Sequence, residues 1–170
     1  MVLAAETSLT LALAVKFFSA RIFSVNTENK IEIYTDGSCI DNPGPGGWAA
    51  LVLLNGKKHT LKGAEKKTTN NRMEMTAILK ALEWLRTSSG LSHDQMQKYK
   101  ITIFSDSNLI IQTLKQGWKR KANTDLWAQI DNLRAWLDIT WTWVKAHHTN
   151  KNNNLVDGLA NTEARKIAKK

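Results

Sequence analysis

The sequence has little that would point to secretion or to a membrane. Its one cysteine, Cys39, cannot form a disulfide within the chain, so nothing requires an oxidising compartment. An apolar run near the start, Leu9 to Val15, is too short to span a bilayer. We therefore expect no membrane partner, and the cytoplasm is the default compartment.

Acidic charge is also scarce. The chain has 15 Asp and Glu residues against 24 Lys and Arg residues, which gives a formal net charge of +9. A basic surface gains affinity for polyanions by releasing phosphate counterions, so nucleic acid leads the partner list. A generally basic, solvated surface is the alternative. A length of 170 residues with 42% hydrophobic content suits one domain with its own core, and we expect a monomer.

Residues 1–29 differ from the rest of the chain. They contain two basic and two acidic side chains, so the whole net charge belongs to residues 30–170. Their Lys, Arg and Ser residues with few acids match, loosely, an organellar transit peptide, which would make the protein organellar. A non-functional extension is the equally good alternative. We assign residues 30–170 as the functional domain.

Apolar and β-branched residues alternate or cluster in five short segments, which predict strands. These are Ile31–Tyr34, Trp48–Leu54, Lys57–Lys62, Ile101–Phe104 and Ile139–Trp143. Helical spacing of apolar residues predicts helices after Thr69 or Asn70, after Ser105 to Ser107, after Thr124 and from Leu155 to Ala168. Three early strands followed by alternating helices and strands predict an α/β domain on a mixed five-stranded sheet.

Turn chemistry adds local detail to this pattern. Asn55-Gly56 predicts a two-residue hairpin turn. The segment from Asp41 to Gly47 holds both prolines of the chain and three glycines, so we expect it to be turn or loop throughout.

Four acids stand at notable places in this prediction. Asp36 ends the first strand, Asp106 ends the fourth, Glu74 lies in the first turn of a helix, and Asp157 lies just inside the last helix. Clustered carboxylates repel one another and persist when a cation or a proton compensates. Oxygen ligands without partner cysteines favour Mg²⁺ or Mn²⁺ over zinc, and two such ions can promote phosphodiester hydrolysis.

Each acid also has a simpler explanation. Asp106 before a helix is often an N-cap, and Glu74 in a first turn is often only a partner of the helix dipole. Asp36 in Asp-Gly is commonly a turn residue, and Asp157 is by default a solvated helix residue. The metal-site interpretation therefore depends on the joint occurrence of the four acids with neighbouring motifs.

The chain resembles the type 1 ribonucleases H in five segments that occur in the family's order. They are Tyr34–Cys39, Asn42–Gly47, Thr68–Glu74, Ser105–Ser107 and Trp143–His147. The resemblance implies the ribonuclease H-like fold and an endonuclease that cuts the RNA strand of an RNA/DNA hybrid with little sequence specificity, leaving 5′-phosphate and 3′-hydroxyl ends. It implies two Mg²⁺ ions, with Mn²⁺ as a substitute, held by four catalytic acids: Asp36, Glu74, Asp106 and Asp157.

The resemblance also assigns roles around the acids. His147 would move a proton or help release product, because its ordinary pKa lies near neutral pH. His148 is the rival, and two solvated loop histidines are the simpler alternative. Contacts to the hybrid would come from short amides, a thiol, a hydroxyl, cations and an indole. The predicted contact residues are Cys39, Asn42, Lys67, Thr69, Asn70, Asn71, Arg72, Asn108, Trp118 and Lys119.

The chain departs from the family between Gln116 and Leu126. Longer bacterial members insert a basic helix and loop there as a handle over the substrate, whereas this chain has the short segment Gly117 to Asn123. Trp118 with its neighbouring cations resembles a patch for base stacking and phosphate binding, and a half-buried core tryptophan is the alternative. Two other functions stay open: a resolvase- or integrase-like nuclease, and a non-catalytic module that binds hybrids.

Overall fold

The computed structural model describes residues 29–146 and 149–169. Its strands are β1 (Lys30–Cys39), β2 (Gly44–Leu54), β3 (Lys57–Thr68), β4 (Lys100–Ser105) and β5 (Ile139–Trp143). They form one sheet in the order β3-β2-β1-β4-β5. The first three strands pair antiparallel, while β4 pairs parallel with both β1 and β5. The predicted mixed five-stranded sheet is confirmed.

Helices pack on this sheet. They are α1 (Asn70–Ser88), α2 (His93–Met96), α3 (Asn108–Gln116), α4 (Thr124–Arg134) and α5 (Lys151–Ala168). The short helix α2 was not predicted, although Ser92 and Gln95 form a capping box at its start. Among the described residues, no helix combines the length and the apolar character that a membrane span requires.

The alternation of side chains along β1 explains why both faces of the sheet are covered. Ile31 and Ile33 are fully buried in a large cluster that includes the apolar stripes of α1 and α4. Tyr34 points to the other face, where it packs with Val156 and Ala160 of α5. Burying an isoleucine of this kind contributes about 1.5–3 kcal/mol relative to leaving it in water.

The strands are longer than predicted at two places near the acids. Asp36 lies within β1, aligned with Ala49 of β2, and not in a turn. Its strand continues because β2 keeps pairing with it after β4 has ended. The prediction of a loop up to Gly47 is also wrong, since β2 begins at Gly44. A Cβ on Gly47 would lie 2.2 Å from the Ala160 carbonyl oxygen, so glycine lets α5 approach the strand closely.

Two acids differ from their predicted helical positions. Helix α1 begins at Asn70 with Thr69 as its N-cap, so Glu74 is the fifth helical residue and not part of the first turn. Asp106 is not a cap, because Ser107 takes the N-cap position of α3. The simple explanations for these two acids therefore lose their structural basis.

The last two helices begin earlier than predicted. Asn123, not Thr124, caps α4, and it does so in a left-handed conformation with a φ of 54°. Helix α5 begins at Lys151, where the Asn150 side chain accepts hydrogen bonds from the first turn. An amide-rich segment was read as loop because the apolar periodicity starts only after the cap.

Candidate active site

The parallel pairing of β1 with β4 places Asp36 and Asp106 beside each other in the fold. The last aligned pair of these two strands is Thr35 with Ser105, and the two acids follow directly. The carboxyl ends of parallel strands meet at one edge of a sheet, where α/β proteins commonly bind ligands. We call this region, formed by Asp36, Glu74, Asp106 and Asp157, the carboxylate edge.

Glu74 reaches the carboxylate edge because α1 touches β1 at a glycine. A Cβ on Gly37 would lie 2.1 Å from the Glu74 backbone nitrogen and 2.3 Å from the Met73 carbonyl carbon. No other residue allows this approach without moving the helix. The residue after Asp36 thus sets the position of Glu74.

Helix α5 brings Asp157 to the same edge. Asn161, one turn after Asp157, donates to its Oδ1 at 2.7 Å and to its backbone oxygen at 3.0 Å. The Asn161 Oδ1 accepts from Ser38 Oγ of β1 at 2.9 Å. These side chains connect the helix to the strand two residues beyond Asp36.

The electrostatics of Asp36 reflect this convergence. Asp36 is 6% exposed, and burial is the largest of the influences that raise the pKa of its carboxyl to about 8. The charges of Asp106, then Asp157 and Glu74, also raise it, while a hydrogen bond of 2.7 Å from the Gly37 N–H opposes them. A buried acid among three other acids favours either a proton or a bound cation.

The Glu74 carboxylate is held from both sides. Asn70 donates to its Oε1 at 2.8 Å, and Ser107 Oγ donates a short hydrogen bond to its Oε2. Burial and the charge of Asp106 raise its pKa, and the two hydrogen bonds oppose this rise. Glu74 is therefore fixed by its own helix and by the N-cap residue of α3.

Backbone contacts fix the position of Asp106. The indole Nε1 of Trp143 at the end of β5 donates to the Asp106 carbonyl oxygen at 3.0 Å. The Ser107 N–H donates to Ser105 Oγ at 3.2 Å. The turn that carries Asp106 is thus held by the neighbouring strand β5 and by the last residue of its own strand, β4.

The carboxylate edge fits a hard divalent cation by the chemistry of its donors, since all four are carboxylates. Within the described ranges, however, no group of three or more His, Cys, Asp or Glu side chains stands ready to hold a metal ion. Hydrogen bonds from Asn70, Ser107 and Asn161 hold the Glu74 and Asp157 carboxylates. Binding would therefore require small side-chain adjustments at the carboxylate edge, where burial and neighbouring acids already raise the pKa of Asp36 and of Glu74.

Several predicted substrate residues lie around the junction of the β1–β2 turn with α1. The Asn42 Oδ1 accepts from the Asn70 N–H at 3.1 Å, and Cys39 Sγ lies 3.4 Å from the Thr68 carbonyl oxygen. Thr69 Oγ1 caps the helix by accepting from the Arg72 N–H. Asn42 and Asn70 thus lie together, and Asn70 also contacts Glu74.

The predicted cations and remaining amides differ in their surroundings. Arg72 forms a bidentate ion pair with Asp125 at 2.8 and 3.0 Å, and 33% of its side chain is exposed. Lys67, Asn71 and Asn108 are exposed. Their roles toward a substrate stay predictions.

The segment Gly117 to Asn123, which we call the Trp118 loop, connects α3 to α4 without a helix of its own. Trp118 is 44% exposed and lies outside the two hydrophobic clusters of the described chain, and Lys119 is exposed as well. Arg120 pairs with Asp131 and lies over the Trp127 ring, 4.4 Å from its centroid. Together with Asn71, the loop lines a cavity of about 230 Å³ between α1, α3 and α4.

Other predicted features lie outside the described residues. They are His147, its rival His148 and the extension up to residue 28. The predicted histidine role therefore stays a prediction.

Sequence reasoning missed four residues that shape the carboxylate edge: Gly37, Ser38, Ser107 and Asn161. Gly37 and Ser38 directly follow Asp36, but a steric need for glycine becomes visible only once the packed helix is known. Ser107 was interpreted only as part of a helix cap. For Asn161, the four-residue spacing from Asp157 on a helix was the available signal.

Comparisons with known proteins agree with this architecture. The sequence model of the family described as RNase H matches residues 28–165. A Ribonuclease H of Legionella pneumophila (strain Lens) is 41% identical over 145 residues, covering 78% of this chain and 94% of the relative.

Solved structures show the same fold. LC11-RNase H1, isolated from compost by a metagenomic approach, superposes with a TM-score of 0.69 at 27% identity, covering 82% of this chain and 99% of the other. A second structure of LC11-RNase H1, in complex with an RNA/DNA hybrid, superposes with a TM-score of 0.66 at 24% identity, covering 81% and 99%.

Proposed function

The chain belongs to the RNase H family of endoribonucleases, and from that premise we propose that it cuts the RNA strand of RNA/DNA hybrids at the carboxylate edge. The observation that carries the proposal is the buried Asp36, whose pKa is raised to about 8 by burial and by the three other acids. The complex of LC11-RNase H1 with an RNA/DNA hybrid supports the substrate.

We assign metal binding to the same four acids. Asp36, Glu74, Asp106 and Asp157 would hold Mg²⁺, with Mn²⁺ as a substitute, since these ions prefer carboxylate oxygens. Bound as a pair, the ions would supply positive charge for the attacking and leaving oxygens of the phosphodiester. The cleavage would leave a 5′-phosphate and a 3′-hydroxyl.

The protein's own groups perform the other parts of the reaction. Asn70, Asn71, Asn42 and Cys39 lie beside the carboxylate edge or on the turn next to it, where amide groups can contact 2′-hydroxyls, which only the RNA strand has. We assign His147 the transfer of a proton during product release, because imidazole changes its protonation near neutral pH.

We assign binding of the DNA strand to cationic and polar side chains and to the exposed indole ring of Trp118. Lys67, Thr69 and Arg72 would contact the DNA-strand phosphates, Lys119 would bind phosphate beside Trp118, and Trp118 would stack on a base. Asn108 belongs instead with the amides that would contact 2′-hydroxyls. These contacts would hold the hybrid as a whole, so they bear on binding more than on the chemical step.

The central test compares substrates and one acid. The protein with Mg²⁺ should cut the RNA strand of a hybrid, whereas duplex DNA should stay intact. Asp36→Asn should abolish cleavage, while Asp94→Asn, an exposed aspartate on α2, should cleave like the unaltered protein. Equal cutting of duplex DNA would refute the substrate assignment and favour a resolvase-like nuclease. Hybrid binding without any cleavage would indicate a non-catalytic module.

We further propose that residues 30–170 are the functional domain and that residues 1–29 are dispensable for catalysis. A chain that starts at residue 30 should cut hybrids at the rate of the full chain, and a large loss of activity would contradict this. For localisation we propose the cytoplasm, and an organelle if the extension is a transit peptide. Sequencing the N-terminus of the mature protein distinguishes the two cases.

A further inference from the structure

Asn161 lies where it can act on the reaction without touching the substrate. Its side-chain amide donates to Asp157 Oδ1 at 2.7 Å, and the same group donates to the Asp157 backbone oxygen at 3.0 Å. Asn161 therefore holds both the carboxylate and the backbone carbonyl of Asp157, one of the four acids of the carboxylate edge.

The orientation of the Asn161 amide follows from its neighbours. A carboxylate only accepts hydrogen bonds, so the NH₂ group must face Asp157, and the Oδ1 atom must face the opposite way. There it meets the Ser38 hydroxyl, which can donate, at 2.9 Å. The two contacts fix one rotamer of Asn161 and leave no reason for the amide to flip.

This arrangement ties α5 to β1 at the level of the site. Ser38 is two residues from Asp36 on one strand, and Asn161 is one helical turn from Asp157. Two consecutive hydrogen bonds, from Ser38 to Asn161 and from Asn161 to Asp157, therefore fix the Asp157 carboxylate relative to β1. Backbone packing places the helix, whereas the hydrogen bond from Asn161 acts on the carboxylate itself.

On the basis of the proposed function, we propose that Asn161 is a positioning residue that orients Asp157 for divalent metal binding, with Ser38 as its support. Asn161 donates to Oδ1 of this carboxylate and so sets the direction in which it faces the other three acids. Hydrogen-bonded partners of metal ligands typically contribute 10–100-fold to metal affinity or activity. Loss of the Asn161 hydrogen bond would leave the residues proposed to contact the substrate unchanged.

The test uses the full-length protein with three variants and a control. Asn161→Ala removes the donor, Asn161→Asp keeps the shape but turns the donor into a second acid, and Ser38→Ala removes only the support. Thr162→Ala, an exposed position next to Asn161 on the same helix, is the control. For each protein, Mn²⁺ binding without substrate is measured by calorimetry, beside the Mg²⁺ dependence of hybrid cleavage and the melting temperature.

We expect Asn161→Ala and Asn161→Asp to weaken Mn²⁺ binding by about 10-fold or more and to raise the Mg²⁺ concentration for half-maximal cleavage equally. The KM for hybrid at saturating Mg²⁺ should stay unchanged, and Ser38→Ala should show a smaller effect in the same direction. Thr162→Ala should match the unaltered protein. If Asn161→Ala does not fold, Asn161→Asp carries the test because its shape is conserved.

Unaltered Mn²⁺ binding in a folded Asn161→Asp protein would overturn the proposal. A raised KM for hybrid with unchanged metal binding would overturn it too, because Asn161 would then act on the substrate. Failure of the proposed function gives a different result, since the unaltered protein itself would not cut hybrids with any metal.

Discussion

The carboxylate edge and the Trp118 loop are built in opposite ways. Backbone packing sets the main-chain positions of the carboxylate edge, because Gly37 meets the backbone of α1 and Asp36 is aligned within a sheet. Side-chain hydrogen bonds then only orient the carboxylates of Glu74 and Asp157. The Trp118 loop has no regular structure, and side-chain ion pairs such as Arg120 with Asp131 connect it to α4. From this difference we propose that the acids are rigidly placed, while the contacts that the Trp118 loop would make with a substrate depend on side chains that can rearrange.

The strongest test of this contrast is Gly37→Ala. The added methyl would lie 2.1 Å from a backbone nitrogen, which cannot rotate away, so α1 must move. We expect a loss of about 1–3 kcal/mol in the free energy of unfolding, measured by denaturant titration, because overpacking costs this much. Hybrid cleavage should fall by about 100-fold or more, since small displacements of catalytic groups have effects of this size.

Gly158→Ala is the matched control. Nothing lies within 4 Å of the added methyl on α5, and alanine is the better helix former. This variant should fold at least as stably and keep its activity. A fully active Gly37→Ala protein would show that backbone packing does not place Glu74.

Without metal, the clustering of acids at the carboxylate edge should lower the free energy of unfolding by an amount that depends on pH. The folded pKa of Asp36, about 8, exceeds its ordinary value of 3.8, so the folded state binds the extra proton between these values. The contribution of Asp36 to stability in EDTA should therefore be greatest below about pH 4, fall as the pH rises, and be lost above about pH 8. Mg²⁺ should restore stability at pH 8.

The contribution of Asp36 is isolated by comparison with Asp36→Asn. Without metal, this variant should melt at a higher temperature than the unaltered protein at pH 8, and the difference should shrink toward pH 4. Thermal melts followed by circular dichroism measure both. A difference that is equal at the two pH values would contradict the raised pKa.

The grip of the Trp118 loop is tested by Trp118→Ala. Stacking of a base on an aromatic ring contributes about 1–3 kcal/mol, so the KM for hybrid should rise roughly 5- to 150-fold, with kcat little changed. Trp118→Phe keeps a stacking surface and should recover most of the affinity. If kcat falls instead, the loop contributes to chemistry and the contrast between the two regions is wrong.

A smaller effect is expected from Asp125→Asn, which releases Arg72 from its ion pair. If Arg72 then contacts a phosphate, the slope of log affinity against log salt should become steeper by at most about 0.9. Fluorescence anisotropy with a labelled hybrid at several salt concentrations measures this slope. An unchanged slope would indicate that Arg72 serves the fold and not the substrate.

The sequence predicted the fold well because its signals are local. Strand and helix patterns, the Asn55-Gly56 turn and the Thr69 cap depend on neighbouring residues, and the structure confirms them. The strand at Gly44 to Gly47 was missed because the reason for a glycine at position 47 is a close contact with α5, more than 100 residues away in the sequence. Local rules count glycine against a strand and cannot register such a contact.

For the candidate site, the sequence located the acids but not what holds them. The proximity of Asp36 and Asp106 follows from parallel pairing, which strand order predicts. The hydrogen bonds from Ser107 to Glu74 and from Asn161 to Asp157 require the angles of packed helices. Side-chain partners of this kind depend on tertiary structure and leave only weak traces in the sequence.

The central place of β1 in the sheet has a consequence for local unfolding. With β2 on one side and β4 on the other, β1 is paired along both edges from Ile31 to Thr35, directly before Asp36, whereas β3 and β5 each have one neighbour in the described sheet. Amide protons in such a strand exchange slowly, because they open only when much of the domain opens. The outer strands β3 and β5 can therefore unfold locally and re-form in solution while Asp36 keeps its position. We expect the carboxylate edge to stay folded during such local unfolding.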